Sequence, residues 1–190
     1  AAEDFRIFWD NAYCVHHLYP EPERQDCVLD IGIACVEAGN PDRYLKFAST
    51  SKITFPGAGV AAMAASKANI AEAKHFCNAQ MIGHDKLNQL RHARFLPDAE
   101  ALAAHMDAQA DILRPKFQLV ERILEEELGA LGIATWTNPR GGYFVSFDGQ
   151  PGTAARTVEL ARAAGVILTD AGATWPYGKD PQDTNIRIAP

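Results

Sequence analysis

The chain has 190 residues, of which 47% are hydrophobic and 22% charged, and this balance is typical of a globular protein with a buried core. A formal net charge of −6 and the lack of a long cationic run exclude nucleic acid as an expected partner. No apolar stretch is long enough to span a bilayer, so no membrane partner is expected. The four cysteines form no Cys-x-x-Cys pair and follow no secretory leader, which indicates reduced thiols in the cytoplasm.

The first half of the chain predicts short strands that end in polar loops. The first strand is aromatic and β-branched and ends at Asp10, where a buried strand would deliver polar side chains to an edge of its sheet. Ser66 is placed to cap a helix. The predicted elements are strands at 5–9, 44–48 and 60–65, helices at 28–37 and 67–81, and a loop rich in small residues at 49–59.

The second half predicts one very long helix followed by a small α+β unit. Apolar residues recur at helical spacing from 97 to about 129, with Pro115 placed to bend the helix. A helix of that length could bridge two domains. The elements predicted after it are strands at 133–136, 143–147, 166–168 and 185–188 and an alanine-rich helix at 153–164.

A first polar cluster, Asp10-Asn11-Ala12-Tyr13, follows the first strand. Taken alone, an Asp that begins a turn and a Tyr three residues later are ordinary. Their chemistry nevertheless suits a pyridine ring, because an ionised carboxylate beside the ring nitrogen keeps that nitrogen protonated. A protonated ring is the better electron sink.

A second cluster runs from Ser49 to Gly59 and places Lys52 among hydroxyls and glycines. Small residues let a ligand approach the backbone, and hydroxyls can donate to phosphate oxygens. An unprotonated lysine amine can attack an aldehyde and can later move a proton. Schiff-base chemistry is therefore possible at Lys52, whereas the other lysines are typical of a solvated surface.

Together the two clusters resemble the paired signature of class I, fold-type I aminotransferases, which depend on pyridoxal 5'-phosphate (PLP). The wording STSKITFPGAGV, and the segments IGHDKLNQLRHARFL and WPYGKDPQDTNIRIAP, are similar to a bacterial aspartate-aminotransferase-like subgroup of the MocR type. The resemblance implies an α/β fold in which part of the PLP-transferase large-domain sheet is joined by a long helix to a small α+β domain. In this chain, residues 1–107 would be the carboxyl-terminal part of the PLP-binding large domain and 108–130 a bridging helix. Residues 131–190 would be a small domain that is incomplete at its carboxyl end.

The resemblance also implies the cofactor site. Lys52 would form the Schiff base with PLP and then move a proton between the substrate Cα and C4' of the cofactor. Asp10 would pair with the pyridinium nitrogen, and Tyr13 would donate its hydroxyl to the phenolic oxygen. Ser49 matches a phosphate-binding position, and Ser51 is a weaker candidate for the same role.

Arg187, in the run Asn-Ile-Arg-Ile, matches the arginine that holds the substrate α-carboxylate in this family. A guanidinium meets a carboxylate with two parallel hydrogen bonds and so fixes the orientation of an amino acid. Without the resemblance, a surface ion pair would be the simpler interpretation. The substrates implied are an amino acid, aspartate or a similar one, and a 2-oxo acid.

One position departs from the family pattern. Many class I members carry an arginine eight residues after the lysine to hold the cofactor phosphate, and this chain has Val60 there. Arg91, Arg94 and Lys67 are alternative cations for the phosphate.

Three further expectations complete this interpretation. Complete enzymes of the family are roughly twice as long, so we expect the carboxyl-terminal half of such an enzyme, weakly active or inactive by itself and part of a homodimer when intact. The alternatives are a PLP-dependent lyase or decarboxylase and an aminotransferase-like effector domain of a transcription regulator. The doublet His16-His17 lacks a matching ligand pattern, so we expect a structural role and no metal.

Overall fold

Two three-stranded sheets organise residues 4–190, the part of the chain that this computed structural model describes. The chain divides into two compact units. Of the described residues, the first unit takes in 4–15 and Asp26–Met106, and the second takes in His16–Gln25 and Asp107–Pro190.

The sheet of the first unit has the order β1-β2-β3. Strands β1 and β2 are parallel, and β3 runs antiparallel to β2. A parallel pair needs a crossover connection, and helix α1 lies in it. The N-cap residue Asp30 starts α1 by accepting hydrogen bonds from the backbone N–H groups of Gly32 and Ile33. The elements are β1 Ile7–Asp10, α1 Ile31–Glu37, β2 Tyr44–Ser49, β3 Ala61–Ala65, α2 Lys67–Gln80 and α3 Lys86–Phe95.

A buried polar side chain fixes α2 against the sheet. Asn69, in the first turn of α2, is only 7% exposed, and its Nδ2 donates to the carbonyl oxygens of Asp42 (2.8 Å) and Tyr44 (3.4 Å) at the start of β2. A buried amide is stable only when it is hydrogen-bonded in this way. The apolar side chains buried in this unit are Ile31, Cys35, Ile53 and Met106.

The second unit has an antiparallel sheet with the order β4-β5-β6. Its core has two clusters, one around Leu18, Phe117 and Val145 and the other around Ala154, Val158 and Ile186. Helix α4 contributes its first eight residues to the first unit and the rest to the second. The elements are α4 Ala99–Leu128, β4 Thr135–Trp136, β5 Val145–Asp148, α5 Ala154–Ala163 and β6 Asn185–Ile188, with short 3-10 turns at Pro22–Arg24, Gly129–Leu131 and Pro176–Gly178.

Most of the predicted elements are confirmed within a few residues. The strand predicted at 166–168 is wrong: Val166 donates its N–H to the Ala161 carbonyl at 2.8 Å and Gly165 adopts φ +90°, so these residues close the end of α5. Helix α3 was not expected at all. Helix α4 continues through Pro115. Within residues 4–190, none of the helices combines the length and apolar character that crossing a membrane requires.

Candidate active site

Polar residues of the two predicted clusters meet at one edge of the first sheet. Asp10 is the last residue of β1 and lies opposite Phe47, while Ser49 ends β2 two residues later. Because β1 and β2 are parallel, their carboxyl ends share an edge, which is where open α/β sheets bind ligands. The backbone N–H of Asn11 donates to the Phe47 carbonyl at 2.8 Å and extends the pairing past Asp10. Lys52 lies in the turn just after Ser49.

The turn after β1 presents Asp10 and Tyr13 to solvent. The Ala12 backbone N–H donates to Asp10 Oδ1 at 3.1 Å, which holds the carboxylate at the start of the turn. Both Asp10 and Tyr13 are exposed, so the carboxylate and the phenol can be reached by a ligand.

A cleft of about 280 Å³ lies between this turn and the loop that follows β2. Its lining includes Asn11, Ala12, Ser49 and Thr50, with small side chains such as Ala61 on β3. Such small residues leave room for a flat ring near the backbone. Asp10, Tyr13, Ser51 and Lys52 are not part of the lining.

The loop that carries Lys52 is closed by backbone contacts between Thr50 and Val60. The Thr50 N–H donates to the Val60 carbonyl, and the Val60 N–H donates to Thr50 Oγ1, both at 2.9 Å. The Thr54 N–H donates to the Thr50 carbonyl at 2.8 Å and tightens the turn around Lys52. Lys52 itself is exposed. Val60, at the position where the family pattern predicted an arginine, therefore contributes main-chain groups that shape the loop.

Gly59 lets the two limbs of the loop approach closely. A Cβ atom at this position would lie 3.1 Å from the Ser51 backbone nitrogen and 3.2 Å from Thr50 Oγ1. Both distances are shorter than ordinary van der Waals contacts of a Cβ atom. Across from it, the Ser51 N–H faces Ser49 Oγ at 3.4 Å. The two serines predicted to bind phosphate therefore lie on the same narrow turn.

Side chains from α3 and α4 hold this loop, and the sequence did not predict them. His92 Nε2 lies 2.9 Å from the hydroxyls of both Thr50 and Thr54, and His105 Nε2 donates to the Ile53 carbonyl at 2.7 Å. Asn88 Nδ2 donates to the Gly59 carbonyl at 3.0 Å. The sequence feature that could have predicted them is the segment IGHDKLNQLRHARFL, in which the polar residues Asn88 and His92 are four positions apart, as on one face of a helix.

The three candidate cations for a phosphate differ in position. Arg91 lines a second cavity of about 270 Å³, together with Thr54, Phe55 and His92, rather than the cleft that Ser49 lines. Arg94 is exposed on α3, and Lys67 is exposed at the start of α2.

Arg187 lies in the second unit, on β6 opposite Ser146. Its guanidinium lies over the Phe144 ring, 4.3 Å from the centroid, and no acidic side chain within residues 4–190 forms an ion pair with it. Its Nε is buried and has no hydrogen-bond partner among those residues. A buried donor without an acceptor is costly, so the arrangement suits an anionic ligand such as a carboxylate.

The turn that leads into β6 is organised by Asp180. Its Oδ2 accepts from the backbone N–H groups of Asn185 (2.9 Å) and Thr184 (2.8 Å), and its Oδ1 accepts from Gln182 at 3.0 Å. These hydrogen bonds, that from Asn185 foremost, lower the pKa of the Asp180 carboxyl from 3.8 to about 2.

Known proteins that are similar to this chain share one family and one fold. The family model described as aspartate amino-transferase matches residues 1–190. An aminotransferase of Mycolicibacterium smegmatis is 54% identical over 190 residues, which cover 100% of this chain and 44% of that protein. A solved aspartate transaminase of Corynebacterium glutamicum has a TM-score of 0.93 and 47% identity, covering 100% of this chain and 44% of the other.

A more distant likeness concerns the fold alone. The α-aminoadipate aminotransferase LysN of Thermus thermophilus, solved with N-(5'-phosphopyridoxyl)-L-leucine, has a TM-score of 0.74 at 20% identity and covers 97% of this chain and 44% of that one. The predicted α/β class is confirmed, and the chain forms a portion of the aminotransferase fold. With a family model that spans every residue, the chain belongs to the aspartate aminotransferase family.

Proposed function

We propose that the protein containing this chain is a PLP-dependent aminotransferase of the MocR-type subgroup. It would move an amino group between an amino acid, aspartate or a similar one, and a 2-oxo acid. The chain spans 44% of the Mycolicibacterium relative, so the activity is proposed for the whole protein. The observation that carries the proposal is the position of Lys52 in the turn after β2, at the sheet edge where β1 ends in Asp10.

The residues at that edge fit the groups of PLP. Asp10 would pair with the pyridinium nitrogen, and Tyr13 would donate to the phenolic oxygen, because both side chains are accessible. Ser49 and Ser51, on one narrow turn, would donate to the phosphate. When bound, PLP supplies an electron-withdrawing ring that stabilises negative charge at the substrate Cα. Membership of the aspartate aminotransferase family supports this cofactor.

Lys52 would have two roles. Its Nζ would hold the cofactor at the aldehyde carbon, as the Schiff base that the family resemblance implies. As a free amine, Nζ would move a proton between the substrate Cα and C4' of the cofactor. Hydrogen bonds between Thr50 and Thr54 close the turn from which Lys52 projects.

Arg187 would bind the α-carboxylate of the substrate. Its guanidinium is held over the Phe144 ring, and its buried Nε has no acceptor within residues 4–190. A carboxylate would accept two parallel hydrogen bonds from the guanidinium and would neutralise its charge. That contact would orient the amino acid for loss of the Cα proton.

The proposal extends to assembly and location. The whole protein would form a homodimer, as the family resemblance implies. Large apolar side chains are exposed in both units, among them Phe8 (72%), Ile82 (109%) and Ile167 (84%), and either the rest of the protein or a second copy would cover them. The four cysteines are free thiols, which supports a cytoplasmic location.

Covalent trapping tests the proposed function. The full-length protein is incubated with PLP, reduced with borohydride and digested, and the labelled peptide should contain Lys52. The variant Lys52→Arg should lose the label and at least about 100-fold of the transamination rate, since general acid–base catalysis contributes ~10²–10⁴-fold. Lys116→Arg, an exchange on the exposed surface of α4, serves as the matched control.

The reaction type is tested in the same preparation. With aspartate, the amino group should pass to the cofactor and a stoichiometric amount of 2-oxo acid should appear. A label on another lysine would contradict the role of Lys52. Release of carbon dioxide without a 2-oxo acid would assign a decarboxylase instead.

A further inference from the structure

Helix α3 contacts the Lys52 turn on both sides of the lysine through one imidazole. His92 Nε2 lies 2.9 Å from Thr50 Oγ1 and 2.9 Å from Thr54 Oγ1. These two threonines flank Lys52 along the chain, and the Thr54 N–H closes the turn onto the Thr50 carbonyl. The imidazole therefore spans the turn from which the lysine side chain projects.

The orientation of the His92 ring is fixed from its own helix. Its Nδ1 lies 2.9 Å from the carbonyl oxygen of Asn88, one helical turn earlier. A carbonyl only accepts hydrogen bonds, so Nδ1 carries the proton in this contact and Nε2 is directed at the threonine hydroxyls. Asn88 in turn donates from Nδ2 to the Gly59 carbonyl at 3.0 Å, on the far limb of the loop. Asn88 and His92, one helical turn apart, thus contact the loop on both sides, at Gly59 and at the two threonines.

With the proton on Nδ1, Nε2 accepts hydrogen bonds from the threonine hydroxyls. Thr50 Oγ1 also accepts from the Val60 N–H at 2.9 Å, and the Thr50 carbonyl, 3.2 Å from Thr54 Oγ1, is a second acceptor for the single Thr54 hydroxyl proton. What the imidazole adds is a link between the turn and α3. From the other side, His105 on α4 donates to the Ile53 carbonyl at 2.7 Å.

We propose that His92 is a positioning residue for Lys52, an inference that rests on the proposed function of that lysine. By holding Thr50 and Thr54 against α3, it fixes the turn so that Nζ meets the cofactor aldehyde and the substrate Cα in a productive geometry. A long lysine side chain on an exposed turn depends on such support, because small displacements of a reacting group cost about 100-fold in rate.

The variants that test the proposal separate the hydrogen bonds from the volume of the ring. His92→Leu keeps a side chain of similar bulk and removes the polar contacts. His92→Gln places an amide near the position of Nε2, where it can again bond the two hydroxyls. His84→Leu, in the exposed segment before α3, is the matched control.

The measurements use the full-length protein freed of cofactor. Stopped-flow absorbance gives the rate at which added PLP is captured on Lys52, and steady-state assays give kcat and KM for aspartate. His92→Leu should slow capture and lower kcat by about 10- to 100-fold, the usual effect of removing a supporting contact, with KM nearly unchanged. Hydrogen exchange of the amides at 50–60 should rise in this variant. His92→Gln should recover most of each loss.

Three outcomes decide the matter. If His92→Leu captures PLP and turns over like the wild type, the inference is wrong. It is equally wrong if His92→Gln is as slow as His92→Leu, since the bonds to the hydroxyls would then not be the cause. A wild-type protein that captures PLP at a lysine other than Lys52 refutes the proposed function itself, and the inference with it.

Discussion

The surroundings of the Arg187 side chain determine whether its guanidinium can bind a carboxylate ligand. A guanidinium is useful to a carboxylate ligand only when its orientation is fixed and its donors are not already occupied. The Phe144 ring meets the first condition, with the guanidinium 4.3 Å from its centroid. The second is met because the buried Nε lacks a hydrogen-bond partner within residues 4–190. The aromatic ring orients the cation without using its hydrogen-bonding edge.

Replacing Phe144 by leucine should therefore weaken substrate binding. A cation–π contact of this kind contributes ~0.5–2 kcal/mol, so Phe144→Leu should raise KM for the amino acid by about 2- to 30-fold and lower kcat less. The full-length enzyme is assayed with Phe147→Leu as control, because Phe147 lies in β5, three residues after Phe144, and stacks on Trp136 instead of Arg187. An equal rise of KM in both variants would show that packing of β5, not the contact with Arg187, is responsible.

The lysine itself could be predicted from its neighbours in sequence, whereas its supports could not. Hydroxyls and glycines within a few positions of Lys52 were enough to single it out. The contact between Thr50 and His92 joins residues 42 positions apart, and no local pattern reports such a contact. A histidine in a polar helix looks the same in sequence whether it faces solvent or a loop.

The observed helices and strands agree with the prediction where the apolar residues are regularly spaced, and they differ from it elsewhere. Helix α4 and the three strands of the first sheet carry clear apolar patterns, and they were predicted. Helix α3 is mostly exposed and polar, so its sequence lacks an apolar face, although Asp85 starts it with a hydrogen bond from the Asn88 N–H at 2.9 Å. The apolar triplet 166–168 suggested a strand, yet Gly165 ends a helix there.

The turn before β6 should respond to acid through Asp180. Folding lowers the pKa of this carboxyl from 3.8 to about 2, because the charged form accepts hydrogen bonds from Asn185 first and then from Gln182 and Thr184. A lowered pKa stabilises the folded state above the unfolded value, and this contribution is lost as the pH falls from about 3.8 to about 2.

Asp180→Asn should accordingly lower the thermal unfolding midpoint at neutral pH. Its difference from the wild type should shrink as the pH falls through that range, when the wild-type carboxyl takes up its proton. Circular dichroism melts over a pH series measure both effects, and Asp107→Asn on the exposed face of α4 is the control. A difference that stays constant down to the lowest pH would rule out the hydrogen-bonded carboxylate as its source.

Each of the two units has its own sheet and its own buried residues, and the division interleaves along the chain, since 16–25 joins the second unit. Composition and apolar spacing do not reveal such interleaving. Leu18, in that short segment, is 2% exposed and packs with Phe117 and Val145. Long-range contacts of this kind decide to which unit a segment belongs, whatever its local pattern.

The 190-residue chain, assayed by itself, should hold PLP weakly. Asp10, Tyr13 and Lys52 are exposed in it, and an ion pair between a carboxylate and a pyridinium contributes little in water, about 1 kcal/mol or less. Titration with PLP, followed by borohydride and absorbance, measures the adduct. A tight adduct that depends on Lys52, with rapid amino-acid turnover, would contradict this expectation.

Val60 closes the lysine loop through hydrogen bonds that do not involve its side chain. Its hydrogen bonds with Thr50 all use main-chain atoms of Val60, and they would survive an exchange of the valine for another residue. A cation could therefore be engineered at position 60, beside the cleft that Val60 lines, without rebuilding the turn.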